Sequence, residues 1–171
     1  HVAMNWALSD SDFVAAAFYA RGGMNTKWVG GTATYDPTFG QGTPATFPGT
    51  YGGGTAGVDL MQAFLNFTYA HKFAESFSVG ASGIFALQRF EARGVSTFAP
   101  FTKTFVESFN PATGGQAPKS LSGNGHDMSY GYGGSIGFQW SPDDEVSLAA
   151  AYTTKMSMSE FGDYEDLFAQ A

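Results

Sequence analysis

The chain has 171 residues, of which 43% are hydrophobic and 16% aromatic, while only 13% are charged and 23 are Gly. Eight Lys and Arg against 15 Asp and Glu leave a net charge of −7, the wrong sign for a nucleic-acid partner, which asks for a basic face. The lack of Cys excludes disulfides and Cys-based metal sites, and no stretch approaches the roughly 18 unbroken apolar residues of a transmembrane helix.

Six segments alternate with the period of two that marks a strand, whose successive side chains point to opposite faces. Residues 1–8, HVAMNWAL, put Val2, Met4, Trp6 and Leu8 on one face, and residues 13–22 continue the pattern less cleanly as far as Arg21-Gly22-Gly23. Paired Gly there reads either as a strand end or as a kink or bulge. Residues 58–72 set Met61, Ala63, Leu65, Phe67 and Tyr69 against Gln62, Phe64, Asn66 and Thr68. Residues 77–93 set Phe77, Val79, Ala81, Phe85 and Leu87 against Ser78, Gly80, Ser82 and Gln88. In residues 127–141, DMSYGYGGSIGFQWS, every large apolar group falls on an even number and the odd positions are Asp, Ser, Gly and Gln. Residues 146–159 follow, with Val146, Leu148, Ala150, Tyr152, Met156 and Met158 expected on one face.

One strand of this kind suits a soluble sandwich or a membrane barrel equally well. The connections discriminate. Residues 9–12, 73–76 and 142–145 (which include Asp143-Asp144-Glu145, a solvated turn) are short, residues 23–57 and 94–126 are long, and a third long segment starts near Gly162. Outer-membrane barrels alternate tight periplasmic turns with long extracellular loops, and Trp6, Tyr69, Phe77 and Trp140 sit near the short turns as an interfacial girdle requires. The expectation is an all-β fold, an antiparallel transmembrane β-barrel with short helices in its extracellular loops. The chain starts at His1 without an initiator Met and reads as a piece of a longer protein.

The loops carry the candidate chemistry. Residues 23–57 scatter Trp28, Tyr35, Phe39, Phe47 and Tyr51 through Gly, Thr and Pro, which reads as a loop folded over a barrel mouth or as a surface loop. In STFAPFTKTFVESFN, Phe98, Phe101, Phe105 and Phe109 recur at helical spacing, which places them on one face of a short helix. That face is either rim packing or a groove for an apolar ligand. The tail YEDLFAQA begins a second helix with Leu167 and Phe168 as apolar contacts. Catalytic and metal signals are thin: His71 reads as an interfacial residue and His126 lies near Ser122 and Ser129 without a G-x-S-x-G, while Gly52-Gly53-Gly54 lacks the Lys of a P-loop. No enzyme activity and no cofactor is expected.

Taken in order, D-L-x-Q at Asp59, A-x-Q-R-F at Ala86 and the final Y-x-[ST]-K-x-x-M-x-x-F-x-x-Y-x-x-L-F resemble the FadL/TodX family of outer-membrane transporters over nearly the whole chain. The resemblance implies a barrel of about fourteen strands plugged by an N-terminal hatch. Residues 1–171 would supply about six of those strands, roughly the second to the seventh, without the hatch or the remaining strands. It implies passive uptake of long-chain fatty acids or aromatic hydrocarbons across the outer membrane of a Gram-negative bacterium. Loop capture would be followed by lateral release through the wall. The implied partners are hydrophobic small molecules (fatty acid, hydrocarbon, detergent) and outer-membrane lipid, with a monomer at full length. The capture groove would fall on Phe101, Phe105, Val106, Phe109, Leu167 and Phe168, the deeper pocket on Phe64, Ile84, Gln88 and Phe90, and the strand kink on Arg21, Gly22 and Gly23. A structural or adhesive outer-membrane barrel and a soluble β-sandwich binding module are the competing readings.

Overall fold

The computed structural model of the chain describes residues 1–38, 42–143 and 145–168, so Phe39 and Asp144 lie outside the described residues. Its strands are β1 (Val2–Ala7), β2 (Asp12–Trp28), β3 (Thr32–Tyr35), β4 (Ala45–Pro48), β5 (Ala56–Ala74), β6 (Phe77–Arg93), β7 (Asp127–Trp140), β8 (Leu148–Thr153) and β9 (Ser157–Met158). Two short helices, α1 (Lys103–Glu107) and α2 (Glu165–Phe168), lie in the long connections. Strands β1-β2-β5-β6-β7-β8 are hydrogen-bonded neighbours in chain order, β9 also pairs with β7, and β3 and β4 form a separate hairpin. The strands are antiparallel, and among the described residues no helix is long and apolar enough to cross a membrane. At 14 to 19 residues, β2, β5, β6 and β7 exceed the roughly 9–11 that span a bilayer.

Contacts divide the chain into two compact units. The first comprises His1–Gly22, Gln62–Gln88 and Ser129–Ser159. It contains the short turns and the parts of the strands that adjoin them. Its outward face carries Phe67, Tyr69, Phe85, Tyr130, Ile136 and Phe138, all about half exposed. Cross-strand ring pairs tile this face, Phe77 with Phe138 and Phe85 with Tyr130, each at 6.3 Å. An apolar surface of this size suits lipid rather than water. Near the short turns, Asp12 accepts hydrogen bonds from the Tyr69 hydroxyl at 2.5 Å and the Ser9 hydroxyl at 2.6 Å, and His71 Nδ1 lies 2.8 Å away.

The β7–β8 register places Ile136 opposite Tyr152, Phe138 opposite Ala150 and Trp140 opposite Leu148, so both strands turn their even residues to one face as their alternation predicts. The next residues depart from it. Thr154 still pairs with Gly134, but Ser157 pairs with Tyr132 and Met158 with Gly131. Two residues, Lys155 and Met156, therefore stand opposite Gly133 alone, which is a β-bulge. One extra residue exchanges the faces of all that follow. Met156 and Met158, expected on the outward face, instead point inward and pack, as Tyr19 does, on the cluster of Phe64, Ile84 and Ala86.

The second unit comprises Gly23–Met61, Arg89–Met128 and Glu160–Ala171. Here too the structure corrects the strand expected to end at residue 22, since β2 continues to Trp28. Gly22 adopts φ +80°, a backbone conformation that costs little only for Gly, and the chain stays extended on both sides of it. The connection after β2 is shorter than expected and contains the β3–β4 hairpin. That hairpin is held by Tyr35 and Phe47, whose tilted rings lie 4.8 Å apart, and by a Thr34–Thr46 hydroxyl pair at 2.8 Å.

Candidate hydrophobic-ligand site

The four Phe of residues 98–109 do not form the single helical face expected of them. Ser96–Phe101 is a 3₁₀ turn with Pro100 inside it, and Thr102 adopts an extended ψ of 152° before α1 starts. Pro100 lacks an N–H and disfavours helical backbone before it, so one continuous helix cannot form. Thr102 then restarts the chain as an N-cap: its Oγ1 donates to Ala99 O at 2.7 Å and accepts from Phe105 N at 3.3 Å. Two ring pairs result, Phe98 with Phe101 at 6.5 Å and Phe105 with Phe109 at 6.2 Å.

A five-residue helix is too short to persist alone, so its surroundings hold it. Ser108 Oγ donates to Thr104 O at 2.7 Å and accepts from Gln116 N at 2.7 Å. Gly115 lies flat on Phe105, where a Cβ would come within 2.6 Å of the ring. Phe105 is consequently half-buried, whereas Phe101, Val106 and Phe109 are exposed at 67%, 49% and 58%. With Phe98, exposed at 44%, they are accessible apolar groups of the segment.

Helix α2 is tied to the same loop through Asp166, whose carboxylate accepts from Thr104 Oγ1 and, at 3.0 Å, from Ser120 N. Asp166 N donates in turn to Ser120 O at 3.0 Å. The apolar side of α2 packs elsewhere than on the Phe101–Phe109 segment. Leu167 joins Phe90, Ala92, Tyr164, Phe161, Val58 and Leu60 in a second core cluster. Phe90 is its hub, with Tyr164 edge-on at 5.1 Å, Phe161 at 5.3 Å and Phe168 at 5.4 Å. Tyr164 is fully buried, its hydroxyl donates to Gly125 O at 2.5 Å, and burial pushes its phenol pKa up. Beside Phe161 and Phe168 lies a hollow of about 430 Å³, lined also by Glu160 and Glu165.

The residues expected in a deeper pocket thus separate. Phe64 and Ile84 belong to the first unit, where Tyr19 stacks on Phe64 at 5.4 Å with ring planes 12° apart. Phe90 belongs to the loop-covered cluster of the second unit, and Gln88 is half-buried in the first. Arg21 is exposed, a Cβ on Gly22 would lie 3.1 Å from Gln62 Oε1, and one on Gly23 would lie 3.3 Å from Leu60 O.

A charged cluster went unread in the sequence. On the strand face opposite Val58, Leu60, Phe90 and Ala92, Arg89 pairs with Asp59 at 2.9 Å and Arg93 with Glu91 at 2.5 Å. His126 Nε2 bridges Asp59 at 2.8 Å and Glu91 at 3.3 Å. The available signal was that D-L-x-Q and A-x-Q-R-F each supply one member of the Asp59–Arg89 pair. His126 is engaged there rather than with a nucleophile. Ser129 Oγ donates to Ser159 O at 2.6 Å, and Ser122 Oγ accepts from Val95 N at 3.2 Å.

Residues 6–171 match the family model described as outer membrane protein transport protein (OMPP1/FadL/TodX). No curated protein and no solved structure gives a match. Lipid-facing alternation, long strands joined by short turns, apolar loops and this match agree. The chain belongs to the OMPP1/FadL/TodX family and forms part of a β-barrel in the Gram-negative outer membrane that transports hydrophobic compounds.

Proposed function

We propose that the chain supplies about six consecutive strands, roughly the second to the seventh, of a monomeric barrel for the passive uptake of uncharged hydrophobic compounds. Capture occurs on the exposed apolar groups Phe101, Val106, Phe109 and Phe168, and release occurs sideways into the membrane at Arg21-Gly22-Gly23. The observation that carries the substrate class is the hollow beside Phe161 and Phe168. Its described lining pairs two aromatic rings with two carboxylates, Glu160 and Glu165, and holds no cation. A fatty-acid carboxylate placed there meets like charge, while an aromatic or aliphatic hydrocarbon does not. Leaving an apolar chain in water costs ~0.8 kcal/mol per CH₂, so capture on exposed rings followed by exit into lipid keeps the ligand out of an aqueous pore. Gly22 supplies a left-handed pivot within β2, where a side chain would be strained.

The test is accumulation of a labelled aromatic hydrocarbon and a labelled long-chain fatty acid by cells carrying the full-length transporter. Hydrocarbon uptake should exceed fatty-acid uptake, and the reverse order would overturn the substrate class. Phe109→Glu should weaken surface capture several-fold while the barrel still assembles, since Phe109 lies outside the strand ladder. Gly22→Val with Gly23→Val should keep capture and lose accumulation. Accumulation at the unmutated rate would show that ligand leaves by another path.

A further inference from the structure

The bulge in the strand after β8 has a consequence for what passes through the barrel. It removes two large flexible side chains from the lipid face and places them inside. Met158 lies against Gly131 so closely that a Cβ there would fall 2.0 Å from Sδ, and Met156 covers Gly133, where a Cβ would fall 2.5 Å from Sδ. The small residues at odd positions of β7 are therefore seats for two thioethers. The other sides of Met156 and Met158 touch the cluster of Phe64, Ile84 and Ala86, next to the Tyr19–Phe64 ring stack. On the same inward face the residues nearer the short turns are small or polar: Thr68, Ser78, Ser82, Ser135 and Gln139 line an open hollow there. Toward the short turns, the apolar stretch of this face therefore ends at the two Met. Met is the most adaptable apolar side chain, unbranched and polarisable, and suits a contact that must yield to ligands of different shape.

We propose that Met156 and Met158 contact the transported compound, forming with Tyr19, Phe64 and Ile84 an adjustable collar that sets the girth of the hydrophobic ligand admitted. The assignment rests on the transport reading above and adds its size filter. Lys155 and Met156 opposite Gly133 are the device that creates it, because in an unbulged ladder of the same residues both thioethers would face lipid.

Two variants should move selectivity in opposite directions. Met156→Ala removes bulk from the collar. Gly133→Ala adds a Cβ whose nearest neighbours, Met156 Sδ, Thr154 Oγ1 and Met156 Cε, are all side-chain atoms, so the thioether is pushed further inward. The readout is the ratio of uptake of a two-ring aromatic hydrocarbon to that of a straight-chain alkane of similar carbon number, through the full-length transporter. Met156→Ala should raise the ratio roughly tenfold and Gly133→Ala should lower it by a similar factor, the discrimination that a methylene-sized change in an apolar site supports. Met156→Leu, which keeps the volume, should leave it near the unmutated value. An unchanged ratio in both variants, or a shift of both in one direction, overturns the collar. If Met156→Ala fails to assemble, Gly133→Ala decides alone, a lowered ratio supporting the collar and an unchanged one overturning it. The two readings fail differently: if neither hydrocarbon enters faster with the transporter than without it, the transport reading falls, whereas entry of both at an unaltered ratio removes only the collar.

Discussion

The two apolar clusters are built by different means. The one around Phe64, Ile84 and Ala86 consists of strand side chains that alternation delivers to a shared face, including the two Met that a bulge turns inward. The one around Phe90 needs a separate segment, residues 161–167, to return and lay Phe161, Tyr164 and Leu167 over the strands. The first is fixed by register and changes only if pairing changes. The second is fixed by side-chain contacts of a loop and is open to local release, as elements with few ladder bonds are.

The largest effect concerns the register change itself. Positions 152 and 158 are both even and would share the lipid face in an unbulged ladder, whereas the bulge between them turns 158 inward. The chain has no Cys, so Tyr152→Cys and Met158→Cys each provide a unique label. The Met158→Cys thiol should react from the barrel interior with a water-soluble maleimide, and the Tyr152→Cys thiol only with a lipid-soluble one. Identical reactivity at the two positions would mean that the bulge does not set the facing of β9.

Next in size is Phe90→Ala. It removes the hub of three ring contacts, and truncation of a buried Phe costs about 3–5 kcal/mol. If the clusters are independent, the loss should appear as faster amide exchange over residues 161–168, while Phe64 and its neighbours stay protected. Exchange that accelerates equally in both clusters would refute separate modes of construction.

How much of this was legible follows the same division. The facing of Phe64, Ile84, Tyr130 and Phe138 was readable because a period of two leaves no choice once one face is lipid. The bulge was not, because Tyr152, Met156 and Met158 all keep even numbers and a parity change leaves no trace in the spacing. The trace lay across the ladder, in Gly131 and Gly133, whose lack of side chains makes room for two Met. Phe98 to Phe109 kept helical spacing, yet Pro100 and the Thr102 cap divide them, so local backbone chemistry overrode periodicity. In the final segment Phe161, Tyr164 and Leu167 recur every three residues, which fits the 3₁₀ turn Gly162–Tyr164 running into α2. Their partner Phe90 is too distant in sequence for spacing to reveal. The Asp59–Arg89–His126–Glu91 cluster was hidden for the same reason.

Asp166→Ala should act on the loop-covered cluster more gently. It removes the acceptor of Thr104 Oγ1 and of Ser120 N, two bonds to one half-buried carboxylate. Charged hydrogen bonds of this kind contribute about 1–3 kcal/mol in all, and Asp166→Asn should recover part of it. Amide exchange at residues 162–168 is again the measurement. A loss as large as that of Phe90→Ala would show that α2 is held by its polar tie rather than by the rings.

The smallest effect tests the loop that contains the exposed Phe. Thr102 is 4% exposed and joins the 3₁₀ turn to α1 by donating to Ala99 O and accepting from Phe105 N. Losing a cap of this type costs about 1 kcal/mol. Phe105 and Phe109 depend on α1 for their mutual placement, but no strand bond does, so Thr102→Ala should leave barrel assembly unchanged. Capture of a labelled hydrocarbon should weaken about fivefold, the affinity equivalent of about 1 kcal/mol. Thr102→Ser, which keeps the hydroxyl, should bind as the unmutated chain does. If Thr102→Ala captures ligand normally while Phe109→Glu does not, an exposed Phe109 ring suffices for capture and its placement by α1 is immaterial.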